Sequence, residues 1–208
     1  MSTLKLGVFA SGRGSNFQAL VNAIQRGDLD AEVCLLLSDN GKAGALAFAK
    51  SRGIPAKHLS KKSYPSREIF IKEMLLQLQS AKVNFIVLAG YMKMIPPEII
   101  ASYPNRIANI HPALLPSFGG KGMYGIRVHE AVLKAGCKET GVTIHLVDEK
   151  YDHGPIVAQE KIPVHPGDTA EELAARVLKL EHQLYWRTLQ LFAEDRVQVT
   201  GQKVVIQK

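Results

Sequence analysis

The sequence lacks several features that would assign it to a specialised class of protein. No apolar run reaches the ~18 residues of a membrane span, and the apolar stretch near the N-terminus is too short for the core of a signal peptide. Its two cysteines, Cys34 and Cys137, provide no framework of paired thiols. It also has no internal repeat, low-complexity tract or linker. We therefore expect a globular cytoplasmic enzyme.

Strong local charge is absent as well. The chain has 26 Lys and Arg residues against 19 Asp and Glu residues, which gives a formal net charge of +7. This balance favours anionic partners such as phosphates. The basic residues are scattered, however, and Lys61-Lys62 is only a pair, so a solvated surface explains them better than a nucleic-acid face. We expect neither nucleic-acid nor membrane partners.

Two kinds of catalytic site are poorly represented. Most of the seven histidines lack the close, one-face spacing of zinc ligands, so we expect no metal. His145 lies in the middle of a predicted strand, where a core role is the better interpretation. Ser11 and Ser15 are not part of a Gly-x-Ser-x-Gly elbow, which disfavours serine hydrolase chemistry.

The sequence does contain a regular alternation of short apolar runs and longer amphipathic segments. This alternation predicts βαβ units around a mostly parallel sheet, an α/β fold with helices on both faces. At 208 residues the chain suits a single domain, 1–208, with an N-terminal half of about 1–105 and a C-terminal half of about 106–208. Strands are predicted at 5–10, 33–37, 54–59, 83–89, 106–110, 142–147 and 156–164, with a hairpin of 197–200 and 204–206. Helices are predicted at 16–26, 42–52, 66–79 and 128–135, with a short one that begins at Pro96-Pro97. A further long helix runs to about residue 194. Asp168 or Thr169, with Glu171 or Glu172 three residues on, gives the capping-box signature that opens it.

The segment SGRGSN, residues 11–16, lies where the first strand turns into the first helix. Glycines permit a tight turn, and the exposed N–H groups at a helix start favour a phosphate. The segment does not match the dinucleotide-binding fingerprint, because Phe17 stands where the third glycine should be. A tight turn capped by Ser15 is the alternative.

Asp39 ends the second predicted strand, where a nicotinamide enzyme would place a ribose-binding acid. Asp39-Asn40-Gly41 is also a turn sequence in itself. We favour a turn or cap at Asp39, with a dehydrogenase as the weaker alternative.

Asn109 and His111, in the segment NIHPALLP, are two residues apart at a predicted strand end. Both can face the same side at the carboxyl edge of the sheet, where α/β proteins bind ligands. An amide and an imidazole there could polarise a carbonyl and stabilise the oxyanion of a tetrahedral intermediate. A buried polar pair that shapes the turn before Pro112 would explain them equally well.

A later segment, DEKYDHGP, offers two aspartates, Asp148 and Asp152, in a turn that ends at Gly154-Pro155. A carboxylate beside His111 would raise the pKa of the imidazole, keep it protonated and accept a proton itself. Spacing does not decide which aspartate reaches the site.

Four segments, FASGRGSN, AGYMKMIPPEI, NIHPALLP and HLVDEKYDHGPI, together resemble the folate-dependent glycinamide ribonucleotide formyltransferases, or phosphoribosylglycinamide formyltransferases. The resemblance spans nearly the whole chain and implies a Rossmann-like formyltransferase fold. NIHP and D-x-G-P alone would also admit methionyl-tRNA formyltransferase and formyltetrahydrofolate deformylase, but SGRGSN narrows the choice. Those two enzymes would carry a further domain, for which we expect no room in this chain.

The resemblance also implies roles for particular residues. Asn109, His111 and Asp152 match the catalytic trio of the family, and Thr143 matches a hydroxyl residue near the site. The implied ribonucleotide-binding residues are Gly14, Ser15, Asn16 and Glu181. The implied folate-binding residues are Arg67, Met92, Lys93, Met94, Ile95, Asn109, Asp148, Glu149, Lys150, Tyr151 and Asp152.

The implied reaction is transfer of the formyl group of 10-formyltetrahydrofolate to the amino group of glycinamide ribonucleotide in de novo purine biosynthesis. It needs no metal, and the enzyme would be a monomer or homodimer. Hydrolysis of formyltetrahydrofolate by the same trio, and a non-catalytic phosphate-binding module, remain alternatives. The glycine-rich loop at 117–127 is longer than is usual in the family, and our hypothesis is that it forms a mobile lid.

Overall fold

The structure is a computed structural model that describes residues 3–207, so Met1, Ser2 and Lys208 of the predicted domain lie outside it. The strands are β1 (Leu4–Phe9), β2 (Ala31–Ser38), β3 (Ala56–His58), β4 (Phe85–Leu88), β5 (Ile107–His111), β6 (Glu139–Leu146), β7 (Ile156–Pro163), β8 (Val197–Thr200) and β9 (Lys203–Ile206). The α-helices are α1 (Ser15–Arg26), α2 (Gly44–Ser51), α3 (Arg67–Ser80), α4 (Pro97–Ser102), α5 (Ile126–Lys134) and α6 (Ala170–Ala193).

Seven strands form one sheet in the order β3-β2-β1-β4-β5-β6-β7. The strands from β3 to β5 run parallel, whereas β6 pairs antiparallel with both β5 and β7. All four residues of β4 are buried, as is typical of a parallel strand covered on both faces. The last two strands, β8 and β9, form the predicted separate hairpin.

Helices cover both faces of the sheet. On one face α1, α2, α5 and α6 pack against strand residues that include Phe85 and Val87. On the other face α3 and α4 pack against Ile86 and Leu88. Alternate residues of β4 therefore enter opposite cores, because successive side chains of a strand point to opposite faces. The predicted α/β fold, with a mostly parallel sheet between two helical layers, is confirmed.

Some elements differ in detail from the sequence prediction. The third strand covers three residues rather than 54–59, because it is an edge strand that pairs only with the last three residues of β2. A 3₁₀ turn at Lys61–Ser63 was not predicted. The antiparallel direction of β6 does not follow from its apolar alternation, which is the same for either direction.

The long helix α6 is fixed at its start and along its length. The Thr169 side chain accepts the Glu172 N–H and the Glu172 carboxylate accepts the Thr169 N–H, which is the predicted capping box. The Tyr185 hydroxyl lies 3.0 and 2.9 Å from main-chain carbonyl oxygens of β4 and β5. These bonds fix the middle of α6 against the sheet. Across residues 3–207 no helix combines the length and the apolar character needed to cross a membrane.

Candidate active site

The carboxyl ends of the parallel strands lie at one edge of the sheet, where ligands of α/β proteins bind. Asn109 and His111 lie at that end of β5. Antiparallel pairing places His145 of β6 opposite Asn109, and Thr143 opposite His111. Four polar residues therefore meet where the parallel part of the sheet ends and the antiparallel part begins.

Asp152 joins Asn109 and His111 from the loop after β6. Its Oδ2 atom lies 3.6 Å from His111 Nδ1, and its Oδ1 atom lies 3.4 Å from Asn109 Nδ2. Both distances are long for hydrogen bonds, as is common in catalytic sites without substrate. Two of the three residues predicted as catalytic, Asn109 and His111, thus converge on the carboxylate of the third, while their roles remain a prediction.

The two aspartates that spacing left open have different partners. Asp148 turns away to His153, with its Oδ2 atom 2.6 Å from Nδ1. Asp152 has a φ of 51°, in the left-handed region that Asp adopts more readily than most residues. A Cβ at Gly154 would collide with the carbonyl oxygen of Leu146. The Asp-His-Gly-Pro sequence therefore makes the sharp turn that returns Asp152 to β5.

His145 belongs to the same cluster, although its mid-strand position predicts a core role. It is 2% exposed. Its Nδ1 atom lies 2.9 Å from the Leu146 carbonyl oxygen. Its Nε2 atom lies 3.0 Å from Asn109 Nδ2 and 3.6 Å from Asp152 Oδ1. His145 therefore contacts both the Asn109 amide and the Asp152 carboxylate. Strand alternation places Thr143 and His145 on one face. Because the resemblance placed Thr143 near the site, the same alternation could have identified His145 as a neighbour of the site.

The glycine-rich loop lies directly against the trio. The Phe118 carbonyl oxygen accepts from His111 Nε2 at 2.8 Å, and the Gly120 N–H donates to Asp152 Oδ2 at 2.8 Å. A Cβ on Gly119 would lie 3.1 Å from the Cβ of Asp152, so glycine permits this close approach. Sequence reasoning missed both bonds because they use main-chain atoms.

Burial sets the charge of the site. Burial lowers the pKa of His111 below its usual 6.5, and the Asp152 carboxylate and the Phe118 carbonyl offset this only in part. The expectation of a raised pKa is therefore wrong in its net direction, because desolvation of the imidazolium outweighs attraction to the carboxylate. Burial raises the pKa of Asp152, but His145, His111 and the Gly120 N–H outweigh it, so this pKa is lowered. Near neutral pH the pair is a carboxylate beside a mostly neutral imidazole.

Thr143 supports the segment that follows His111. Its side chain is fully buried. Its hydroxyl donates to the Ala113 carbonyl at 2.7 Å and accepts from the Leu115 N–H at 3.1 Å and from Gln159 Nε2 at 2.8 Å. The hydroxyl therefore has no capacity left for a substrate. Thr143 positions the main chain beside the site.

The turn at residues 14–16 joins β1 to α1. Gly14 is the N-cap residue with a φ of 76°, and a Cβ on it would lie 2.8 Å from the Cβ of Ala45. Only glycine fits both conditions. Ser15 is the first helical residue rather than the cap that the tight-turn alternative requires. The first N–H groups of α1 have no acceptor within the helix, so they are available to a phosphate.

Asn16 and Glu181 meet between α1 and α6. Asn16 Nδ2 donates to Glu181 Oε2 at 2.5 Å, and both side chains are buried. Among residues 3–207, Asn16 Oδ1 has no hydrogen-bond partner. Burial raises the pKa of Glu181, and the bond from Asn16 offsets this in part. The pair therefore holds a buried polar atom that a substrate group could satisfy.

Besides Asn109 of the trio, the residues predicted to bind folate lie in three segments. Arg67 begins α3 and forms two bonds of 2.7 and 2.9 Å with Glu98 of α4. Met92 and Met94 each expose 46% of their surface, whereas Ile95 is 2% exposed and belongs to the core. The other exposed members are Lys93, Glu149, Lys150 and Tyr151. Two exposed methionines in one short segment are typical of a surface that contacts a ligand.

Two other kinds of site find no support. Within the part of the chain that the structure describes, no group of three or more His, Cys, Asp and Glu residues could hold a metal ion. Asp39, the candidate ribose-binding acid, accepts the Ser11 hydroxyl at 2.5 Å. Its carboxylate is therefore engaged within the loops.

Comparisons with known proteins show the family to which this chain belongs. The family model for formyl transferases matches residues 4–189. The phosphoribosylglycinamide formyltransferase of Bacillus subtilis (strain 168) is 40% identical over 181 residues, which are 87% of this chain and 90% of that protein. The chain belongs to the formyl transferase family.

Other members of the formyl transferase family are similar over most of the chain. The chloroplastic phosphoribosylglycinamide formyltransferase of Vigna unguiculata is 45% identical over 193 residues, 93% of this chain and 62% of that protein. This chain therefore spans less than two thirds of that relative. The crystal structure of glycinamide ribonucleotide transformylase 1 from Symbiobacterium toebii has a TM-score of 0.92 at 37% identity and covers 99% of this chain and 95% of that one. The predicted family and its fold are confirmed.

Proposed function

We propose that this chain transfers the formyl group of 10-formyltetrahydrofolate to the amino group of glycinamide ribonucleotide. The products are formylglycinamide ribonucleotide and tetrahydrofolate, in de novo purine biosynthesis. The observation that carries the proposal is the convergence of Asn109 and His111 on the Asp152 carboxylate at the carboxyl edge of the sheet. The names of the family members described above support the same reaction.

The trio stabilises the negative charge that develops on the formyl oxygen and moves the proton of the substrate amine. 10-Formyltetrahydrofolate supplies the formyl group. The Asn109 amide hydrogen, held only loosely by Asp152 at 3.4 Å, is free to donate to the formyl oxygen as that oxygen gains negative charge. The substrate amine attacks the formyl carbon and forms the new C–N bond, and its proton passes through Asp152 to neutral His111. The imidazolium formed beside the carboxylate stabilises the negative oxygen. When the bond between the formyl carbon and the folate nitrogen breaks, the pair delivers the proton to that nitrogen.

The ribonucleotide is proposed to bind between α1 and α6. Its phosphate would accept from the N–H groups of Gly14, Ser15 and Asn16, because a left-handed Gly14 aims these groups out of the turn. Glu181 would contact the same substrate, since its carboxylate and the unpartnered Asn16 Oδ1 atom are polar groups in a buried setting. The net charge of +7 suits a phosphorylated substrate.

The folate is proposed to bind between the segment at 92–95 and the loop at 148–152. The exposed side chains of Met92 and Met94 offer apolar contact. Ile95, whose side chain is in the core, can contribute only main-chain atoms. Arg67 offers a guanidinium at the start of α3.

We also propose that the loop at 117–127 is a lid. Its main chain bonds to His111 and Asp152, while residues 124–127 at its far end are exposed. Substrates that enter the site would therefore alter the bonds between this loop and the trio, and with them the conformation of the loop. Amide exchange of residues 119–127 with and without glycinamide ribonucleotide measures this, and unchanged protection counts against a lid.

The remaining proposals concern the whole protein. We propose a single-domain cytoplasmic enzyme that is a monomer or a homodimer and has no nucleic-acid or membrane partner. The scattering of its positive charge supports the absence of a nucleic-acid partner. Sedimentation of the purified protein over a range of concentrations determines the oligomeric state.

The function is tested by an assay with both substrates present and each omitted in turn. Formyl transfer should require both. Tetrahydrofolate release without the ribonucleotide would indicate that the trio acts on water, as in a hydrolase. Absence of any turnover, with phosphate compounds still bound, would favour a non-catalytic binding module.

A further inference from the structure

Ser11 lies where the loops after three neighbouring strands meet. It follows β1, Asp39 follows β2, and Met92 lies in the loop after β4. The Ser11 hydroxyl donates to Asp39 Oδ1 at 2.5 Å and accepts the Met92 N–H at 2.9 Å. One hydroxyl group therefore connects all three loops.

Main-chain atoms of the same residue strengthen this connection. The Ser11 N–H donates to the Gly90 carbonyl at 3.1 Å, and Asn40 Nδ2 donates to the Ser11 carbonyl at 3.1 Å. A hydrogen bond to a carboxylate is about twice as strong as one between neutral groups. The bond from Ser11 to Asp39 is therefore the firmest side-chain link of the junction.

We propose that Ser11 and Asp39 are positioning residues that couple the ribonucleotide site to the folate site. The inference rests on the proposed function, because it takes the turn at 14–16 as the phosphate site and the segment at 92–95 as the folate site. Ser11 begins the SGRGSN segment that contains the first site, and Met92 begins the second. Asp39 holds the Ser11 hydroxyl in the rotamer that meets the Met92 N–H.

The junction affects how tightly the two substrates bind together rather than how fast they react. A substrate that orders one loop also restrains the other loop through Ser11, so the second substrate loses less entropy when it binds. Each substrate should therefore increase the affinity for the other by the same factor.

The test uses the full chain and four variants, with a fifth as control. Ser11→Ala removes the connecting hydroxyl and Ser11→Thr keeps one. Asp39→Ala removes the acceptor, whereas Asp39→Asn keeps an oxygen without the charge. The control is Ser51→Ala, which removes a hydroxyl that donates to the Phe48 carbonyl at 2.7 Å at the end of α2. The measurements are kcat, both KM values, and calorimetric binding of tetrahydrofolate with and without saturating glycinamide ribonucleotide.

Ser11→Ala should raise both KM values by about fivefold to tenfold, as expected for one or two lost hydrogen bonds. Its kcat should stay within about twofold of the wild type, the pattern of lost binding rather than lost chemistry. The ribonucleotide should no longer increase the affinity for tetrahydrofolate. Ser11→Thr and Asp39→Asn should each keep most of the increase in tetrahydrofolate affinity that the ribonucleotide causes, and Ser51→Ala should keep all of it.

Several results would refute the proposed coupling through Ser11 and Asp39. They are unchanged KM values in Ser11→Ala, an equal change in Ser51→Ala, or a wild type in which the ribonucleotide leaves the affinity for tetrahydrofolate unchanged. If Ser11→Ala melts too early to assay, the comparison of Asp39→Asn with Asp39→Ala decides, and equal coupling in both refutes the role of Asp39. A wild type that binds both compounds with coupling but transfers no formyl group would contradict the proposed function and leave the junction standing.

Discussion

Replacement of Thr143 by valine tests how firmly β6 holds the segment that follows His111. Valine has almost the same size but no hydroxyl, so the Ala113 carbonyl and the Leu115 N–H lose their partner in a fully buried position. Gln159 keeps a second bond to the Leu115 carbonyl. Each buried polar group left unpaired costs about 1–3 kcal/mol, so the free energy of unfolding should fall by about 2–4 kcal/mol. For a chain of this length the melting temperature should fall by about 5–15 °C.

Thr140 provides a matched control on the same strand. It is 2% exposed, and within residues 3–207 its hydroxyl has no hydrogen-bond partner. Thr140→Val removes a buried polar atom that bonds to nothing, so it should be neutral or stabilising. Denaturant unfolding measures both variants, and formyl-transfer kinetics should show kcat of Thr143→Val lowered by about tenfold to a hundredfold through misplacement of the site. Equal loss of stability in the two variants would refute the reasoning.

Gly154→Ala should give little folded protein, because its Cβ would collide with the Leu146 carbonyl oxygen, whereas Gly12→Ala has free space and should fold normally. Comparable soluble yield and circular dichroism of the two variants would contradict this. Arg67→Ala should leave the melting temperature almost unchanged, because its ion pair with Glu98 is exposed, yet raise the KM for the folate. An unchanged KM would remove Arg67 from the folate site. As the pH falls below 6.5, the wild type should lose stability more steeply than His111→Asn. The reason is that the lowered pKa of His111 lets the unfolded chain bind the proton more tightly than the folded chain. Urea unfolding above and below that pH measures the slopes, and parallel slopes would exclude this contribution.

Much of the fold was predictable because apolar patterning follows burial. The run that became β4 is apolar at every position, which fits a strand buried on both faces. The capping-box signature gave the start of α6 to within one residue, and the structure has Thr169 as the cap. The limits of β3 and the direction of β6 were not predictable, because both depend on which strand lies alongside, and spacing within one segment does not report that.

The candidate site was predictable where side-chain identity carries the information. Asn109 and His111 could be identified from their spacing at a strand end, but choosing Asp152 over Asp148 needed the family resemblance. His145 was missed because its contact with Asn109 depends on the register between β5 and β6. The direction of the His111 pKa was wrong because sequence shows a neighbouring charge but not the degree of burial.

The central claim is that His111 and Asp152 carry the proton during formyl transfer. The most direct measurement is kcat for transfer from 10-formyltetrahydrofolate to glycinamide ribonucleotide in the double variant His111→Ala/Asp152→Ala, with folding confirmed by thermal unfolding. Loss of the pair should lower kcat by about 10²-fold to 10⁴-fold, the usual contribution of positioned acid–base groups. A folded double variant that transfers the formyl group at a rate close to that of the wild type would contradict the account.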